Sequence, residues 1–156
     1  MRIRLLTITH KSPSWLIEGY QDYAKRLPPT CALELVEIAA EKRTANADIA
    51  RLTEREGEKM LAAIKPGSRV IALDVKGKLV TTEQLAEQLT QWQRDGRNVD
   101  LLVGGPDGLA AACLQKAEQS WSLSPLTFPH FLVRLIIAEQ IYRAYSILTN
   151  HPYHRG

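Results

Sequence analysis

The chain has 156 residues, 45% of them apolar and 24% charged, with a formal net charge of +3 and an isoelectric point near 8.9. That length fits one domain with a sizeable buried core, and the ordinary balance of apolar and charged residues excludes a disordered chain. The basic lean permits a nucleic-acid partner without demonstrating one.

Met1 leads straight into the alternating segment Arg2 to Ile8, which predicts a first strand and leaves no apolar core for a cleavable signal. The following loop, Thr9-His10-Lys11-Ser12-Pro13, lacks the G-x-G-x-x-G of dinucleotide-binding folds, and no P-loop motif occurs elsewhere. Ser12 as N-cap and Pro13 at the first helical position predict a helix reaching about Leu27, with Trp15, Leu16, Tyr20, Tyr23 and Leu27 at core spacing. Pro28-Pro29 ends it, and Leu33 to Ile38 reads as a second strand. Lys42 and Arg43 could grip phosphate, but two residues of that kind read first as a solvated loop. A helix from about Ala47 to Ile64, a strand from Arg69 to Val75, a helix from Thr82 to Arg94 stopped at Asp95-Gly96, and a strand from Asn98 to Val103 follow. Strands alternating with helices indicate an α/β fold, with a mostly parallel sheet flanked by helices. Cys31 and Cys113 have neither metal-ligand nor redox spacing and read as reduced thiols. No apolar run is long and uncharged enough to span a bilayer, so a soluble, cytoplasmic protein is expected.

The last third has a different texture. The apolar run Leu101 to Val103 breaks into Gly104-Gly105-Pro106-Asp107-Gly108, as a buried strand entering a tight loop would. A short apolar segment, Leu123 to Phe128, closes at Pro129. From His130 to Thr149 the chain is almost continuously apolar, with Glu139, Arg143, Ser146 and Asn150 on one stripe and Arg134 alone on the opposite side. Such a helix buries more than one face, and in a chain of this size the second face predicts a subunit contact. Glu139 and Arg143, acid first at i, i+4, make an ordinary helix ion pair, whereas Arg134 needs a structural or interface partner. The tail is Asn150-His151-Pro152-Tyr153-His154-Arg155-Gly156; its two histidines lack the third ligand a metal site needs.

GGPDG, LSPLTFPH, LVR, AEQIYRA and TNHPYHR, in this order and spacing, closely resemble the RlmH family. These are small SPOUT-class methyltransferases that act on a pseudouridine of bacterial large-subunit ribosomal RNA. The resemblance covers essentially the whole chain. It implies a single SPOUT domain over residues 1–156 with a C-terminal trefoil knot, which general folding rules disfavour. It further implies S-adenosylmethionine as cofactor, a homodimer, no metal, no membrane, and ribosomal RNA on the assembled ribosome as substrate. Carried over residue by residue, the cofactor contacts fall at Leu73, Gly105, Leu123, Ser124, Pro125, Leu126, Thr127 and Phe128. Asp107 stands where the family usually has glutamate, the same charge on a shorter reach.

The expected product is an N3-methyl pseudouridine. An imide nitrogen is a poor nucleophile until its proton leaves, and histidine is the usual proton handler near neutral pH. In the family the tail closes the active site, so His154, Tyr153 and Arg143 are the expected catalytic residues, and His130, Arg155 and His151 the substrate contacts. His10 reads as an ordinary loop residue. The competing reading is a non-catalytic ribosome-binding or assembly factor with a vestigial cleft, which titration with S-adenosylmethionine distinguishes.

Overall fold

A computed structural model describes residues 1–155. Five strands, β1 (Arg2–Thr9), β2 (Ala32–Ala39), β3 (Arg69–Leu79), β4 (Val99–Val103) and β5 (Gln119–Ser122), form one sheet in the order β2-β1-β4-β3-β5. Every pairing is parallel. Helices α1 (Ser14–Ala24), α3 (Thr82–Asp95) and α5 (His130–Leu148) cover one face, and α2 (Ile49–Ala63) and α4 (Ala111–Lys116) the other. The expected α/β architecture with a parallel sheet is the observed one.

Strand β1 alternates in sequence, yet every residue from Ile3 to Thr9 is buried, so both of its faces are covered. Ile3 and Leu5 join the core beneath α1, α3 and α5, while Leu6 and Ile8 join Met60 and Cys113 beneath α2 and α4. In β4, Leu101 and Leu102 divide in the same way. Helix α3 opens on a capping box between Thr81 and Gln84 and ends at Gly96, whose φ of 72° is the left-handed cap conformation.

Four expectations need correction. Ser12 does not cap α1; Pro13 holds the N-cap position, and the Ser12 hydroxyl instead meets Glu37 at 2.9 Å and accepts a hydrogen bond from Arg134. The helix also stops at Ala24 rather than Leu27, although Leu27 is buried. Trp15 is 54% exposed, with its ring edge-on to Phe131, so the core spacing of α1 holds for Leu16, Tyr20 and Leu27 but not for Trp15. Strand β3 runs past Val75 to Leu79, through a register shift between Leu73 and Lys78 against β5. Gly77 permits that bend, since a Cβ there would lie 2.6 Å from the Ser120 backbone. The short elements α4 and β5 carry too few residues for a periodic signal, and β5 is held by Trp121 stacked on Trp92 at 5.9 Å.

At the amino-terminal edge of the sheet, Arg4 and Asp100 lie opposite each other on β1 and β4 and pair at 3.5 Å, both buried. Arg4 also donates to the Ala63 carbonyl at 3.0 Å, and Asp100 accepts from the Lys65 amide at 3.3 Å, which ties the end of α2 to the sheet. Burial pushes the Asp100 carboxyl up from its ordinary range, and the Arg4 charge pulls it back. Removing one member leaves a buried charge alone. Arg4→Met is therefore expected to cost about 3–5 kcal/mol in urea unfolding, and Arg4→Met with Asp100→Leu to recover most of that.

Candidate functional site

A cleft of about 720 Å³, including its open mouth, lies at the carboxyl ends of β3, β4 and β5. In open α/β sheets ligands bind outside this edge. Leu73, Asp74 and Val75 form one wall, and Val103, Gly104, Gly108 and Leu109 form the floor. The segment after β5 forms the opposite wall, and His130 and Val133 close it from the start of α5. Most of the lining is apolar, the general character of small-molecule sites.

The glycine loop has the shape it does because side chains would not fit. A Cβ on Gly104 would meet the Gly108 backbone at 2.3 Å, and Gly108 itself has φ +80°. The Gly108 amide closes the turn on the Gly105 carbonyl at 3.1 Å. Arg43 then fixes the loop from outside. Its guanidinium pairs with the buried Glu56 carboxylate, with one contact at 3.0 Å, and meets Asp107 of the loop at 3.0 Å. The Glu56 hydrogen bond holds the Arg43 pKa above its ordinary value. Arg43 is thus a half-buried strut between α2 and the loop, not the solvated residue its polar surroundings in the sequence suggested.

On the opposite wall, the Ser124 hydroxyl accepts from the Leu126 amide at 2.9 Å, and the Ser122 hydroxyl donates to the Ser124 carbonyl at 3.2 Å. These bonds shape an irregular turn that leaves Leu126 69% exposed over the mouth. Of the residues expected at a cofactor, Leu73, Leu123, Ser124, Leu126 and Phe128 line the cleft. Gly105 is buried just behind the floor, where a Cβ would press on Ile8 at 2.9 Å, and Pro125 and Thr127 sit exposed on the outside of the turn. Gly104 and Gly108 of the glycine loop read from the sequence also line it, as do Asp74 and Trp121, which were not singled out; an aspartate directly after a buried strand run was the available signal for Asp74.

His130 faces the cleft, and burial, followed by the positive charges of Arg134, His10 and Arg43, lowers its pKa from the ordinary imidazole value. Arg134, 1% exposed, is bonded to Thr9 at 2.8 Å and paired with Glu37 at 3.6 Å, so it braces α5 against the ends of β1 and β2. This is the structural contact expected of it.

The remaining expected residues gather elsewhere. Arg143, His151, Tyr153, His154 and Arg155 lie at the far end of α5, where Asn150 at φ 58° turns the tail back on the helix. The His151 amide bonds to the Ser146 carbonyl at 2.8 Å. Tyr153 packs on Tyr142 at 4.7 Å and donates to Glu139 at 3.0 Å, with Arg143 across its other face at 5.0 Å. Arg143 also makes the expected pair with Glu139, at 3.0 Å. Burial and these bonds push the Tyr153 hydroxyl well above its ordinary pKa, which suits an anchor for the tail. The Nδ1 atom of His154 is buried with no hydrogen-bond partner among the described residues. Gly156, the last residue of the expected tail, lies outside the described residues.

The family whose description reads "Predicted SPOUT methyltransferase" matches residues 1–154. The chain belongs to the SPOUT methyltransferase family. Methyl transfer is therefore its chemistry, and SPOUT methyltransferases generally use S-adenosylmethionine. Its fold is similar to that of a probable methyltransferase from Bordetella pertussis Tohama I, at 15% identity over 92% of this chain and 95% of the other, with a TM-score of 0.58. A probable methylase family protein from Haemophilus influenzae Rd KW20 is similar over 97% of this chain and 69% of the other, at 13% identity and a TM-score of 0.55. At these identities the likeness is one of fold. Among the described residues no cluster of three or more His, Cys, Asp or Glu could hold a metal ion, and no helix is long and apolar enough to cross a membrane.

The Arg43 strut has two unequal ends. Arg43→Ala strands the buried Glu56 and is expected to cost about 3–5 kcal/mol in urea unfolding. Asp107→Ala removes only the half-exposed end and is expected to cost less than about 1 kcal/mol. Hydrogen exchange at the Gly108 amide should nevertheless speed up in Asp107→Ala, because the loop has lost its outer tether.

Proposed function

We propose that this SPOUT methyltransferase uses S-adenosylmethionine to methylate N3 of a pseudouridine in large-subunit ribosomal RNA, working as a homodimer on the assembled ribosome. The observation that carries the reading is the separation of cleft and tail. They lie on different stretches of one 19-residue helix. The cleft meets its start at His130 and Val133, while the tail folds back onto Glu139, Tyr142 and Arg143. Glu139 is about 14 Å along the axis from His130 at a rise of 1.5 Å per residue. Held there by Tyr153, the described tail residues do not line their own protomer's cleft. A two-fold partner running the other way can place its tail there. The single domain over residues 1–156 and the trefoil threading of the C-terminal segment belong to the same proposal.

The cleft's chemistry suits such a cofactor. Leu73, Leu123 and Phe128 offer an apolar slot of the kind adenine needs, and the Gly104 main chain lies bare beside it. When bound, the cofactor supplies an activated methyl group, so the protein's tasks are alignment, exclusion of water and disposal of one proton. Leu126 and Val75, both exposed at the mouth, are placed to cover a ligand when a partner or RNA packs over them. His154, with an unpartnered buried ring nitrogen, is the group we assign to the imide proton; Tyr153 anchors it, and Arg143 holds Tyr153. Arg155 and His151 project from the tail as exposed groups for the RNA, with arginine suited to phosphate and histidine to stacking on an unpaired base. His130 meets the target from the cleft side.

A basic shelf favours RNA as the substrate. The Ala40 amide bonds to the Thr9 carbonyl at 3.0 Å, which brings the loops after β1 and β2 together. His10, Lys11 and Lys42 emerge just beyond that bond, exposed and without an ion partner among the described residues. Contacts of this kind supply sequence-independent affinity for a phosphate backbone.

Two measurements test the reading. Isothermal titration is expected to give a micromolar-range dissociation constant for S-adenosylmethionine, and no heat at millimolar ligand would leave only the ribosome-binding factor. Mass spectrometry of ribosomal RNA from cells with and without the gene should show one methylated pseudouridine in the large subunit that disappears with the gene; an unchanged spectrum contradicts the assignment.

A further inference from the structure

Asp74 is the one acidic side chain on the cleft wall, and it has no hydrogen bond or ion pair among the described residues. Among the described residues, every other acid that is not exposed is paired with a cation. Asp22 pairs with Arg26, Glu41 with Lys59, Glu56 with Arg43, Asp100 with Arg4, and Glu139 with Arg143. Asp74 also sits where the sheet lets go of β3. Pairing with β4 ends at Leu73, and pairing with β5 skips from Leu73 to Lys78, so residues 74 to 77 lie outside both ladders. The half-buried carboxylate is thereby presented to the cleft rather than to a neighbouring strand.

The rest of the wall carries no charge to balance it. Ser122 and Ser124 are uncharged, and their hydroxyls are spent on shaping the turn. His130 across the cleft has its imidazole pKa lowered by burial and by Arg134, so it favours the neutral form. An apolar pocket with one unanswered carboxylate selects a cation, because desolvating a negative charge is costly unless a positive one replaces the water.

We propose that Asp74 is the specificity-determining residue of this cleft, its carboxylate supplying the countercharge for a cationic methyl donor. The proposal rests on the methyl-transfer reading above and adds how the donor is told from uncharged nucleosides. S-adenosylmethionine has two positive centres, the sulfonium and the α-ammonium. The spent thioether, S-adenosylhomocysteine, keeps only the ammonium. A carboxylate at the sulfonium would thus hold the donor more tightly than the product and favour exchange after each turnover.

The test is titration calorimetry on wild type, Asp74→Asn and Asp74→Glu with three probes. These are S-adenosylmethionine, S-adenosylhomocysteine and 5′-methylthioadenosine, which has neither positive centre. Asp74→Asn is close to isosteric, and an unchanged urea midpoint verifies its fold. Losing one charge-assisted contact is expected to weaken S-adenosylmethionine about tenfold or more in Asp74→Asn while 5′-methylthioadenosine stays within about twofold. Asp74→Glu should recover much of the loss. S-adenosylhomocysteine places the contact: a smaller loss than the donor's assigns Asp74 to the sulfonium, and an equal loss assigns it to the ammonium. Unchanged donor affinity in Asp74→Asn, or an equal loss for all three probes, would overturn the proposal. Wild-type protein that binds none of the three would instead overturn the methyl-donor reading itself.

Discussion

The length and rigidity of α5 govern how the molecule can work. Its 19 residues carry His130 at the cleft and deliver the tail to the opposite end, and three independent contacts keep the helix in place. Arg134 braces its first turn on β1 and β2, Thr82 donates to Gln140 at 2.6 Å from α3, and Tyr153 folds back on Tyr142 and Glu139. With the helix held in place, the tail packs against its middle at Glu139 and Tyr142, and none of the described tail residues lines the cleft. In the proposed dimer, a second copy of the chain brings its tail to the first copy's cleft.

The cleft depends on a different constraint, the closeness of the backbone in the glycine loop. Gly104 and Gly108 touch at a distance no side chain tolerates, and Arg43 clamps the loop from the α2 side. The floor of the cleft is therefore main chain held by a charged tether, while its walls are apolar side chains with one carboxylate. Such a floor lets a flat ring approach closely, and such a wall admits a positive charge. Two separate features of the sequence, the spacing of the glycines and one aspartate after a strand, combine into a single binding geometry.

Much of this was legible in the residues. Strand β1, α2, α3 and β4 announced themselves by alternation, helical period and turn residues, and the abrupt stop at Gly104 marked the site. Other features were invisible for physical reasons. Ser12 has the right chemistry and position for an N-cap, yet Arg134, 122 residues away, claims its hydroxyl, and no local pattern encodes a contact that distant. Trp15 keeps the core period of α1 but faces outward beside Phe131. Arg43 resembled a solvated charge because its two partners, Glu56 and Asp107, come from distant segments. The tail motif was legible as chemistry, but its place at the far end of α5 from the cleft could be learned only from the fold.

The central claim is that each active site takes its cleft from one protomer and its tail from the other. Mixed dimers test it most directly. One parent has its cleft filled by Ser124→Trp and the other lacks residues 150–156; each should be inactive alone. Refolded together in equal amounts with random pairing, half of the two-fold dimers are mixed, and each of these holds one intact cleft facing one intact tail. Methylation should then recover to about a quarter of the wild-type level. If a tail served its own protomer, every site in the mixture would be defective. Zero recovery, with mixed dimers verified by native mass spectrometry, would contradict the account.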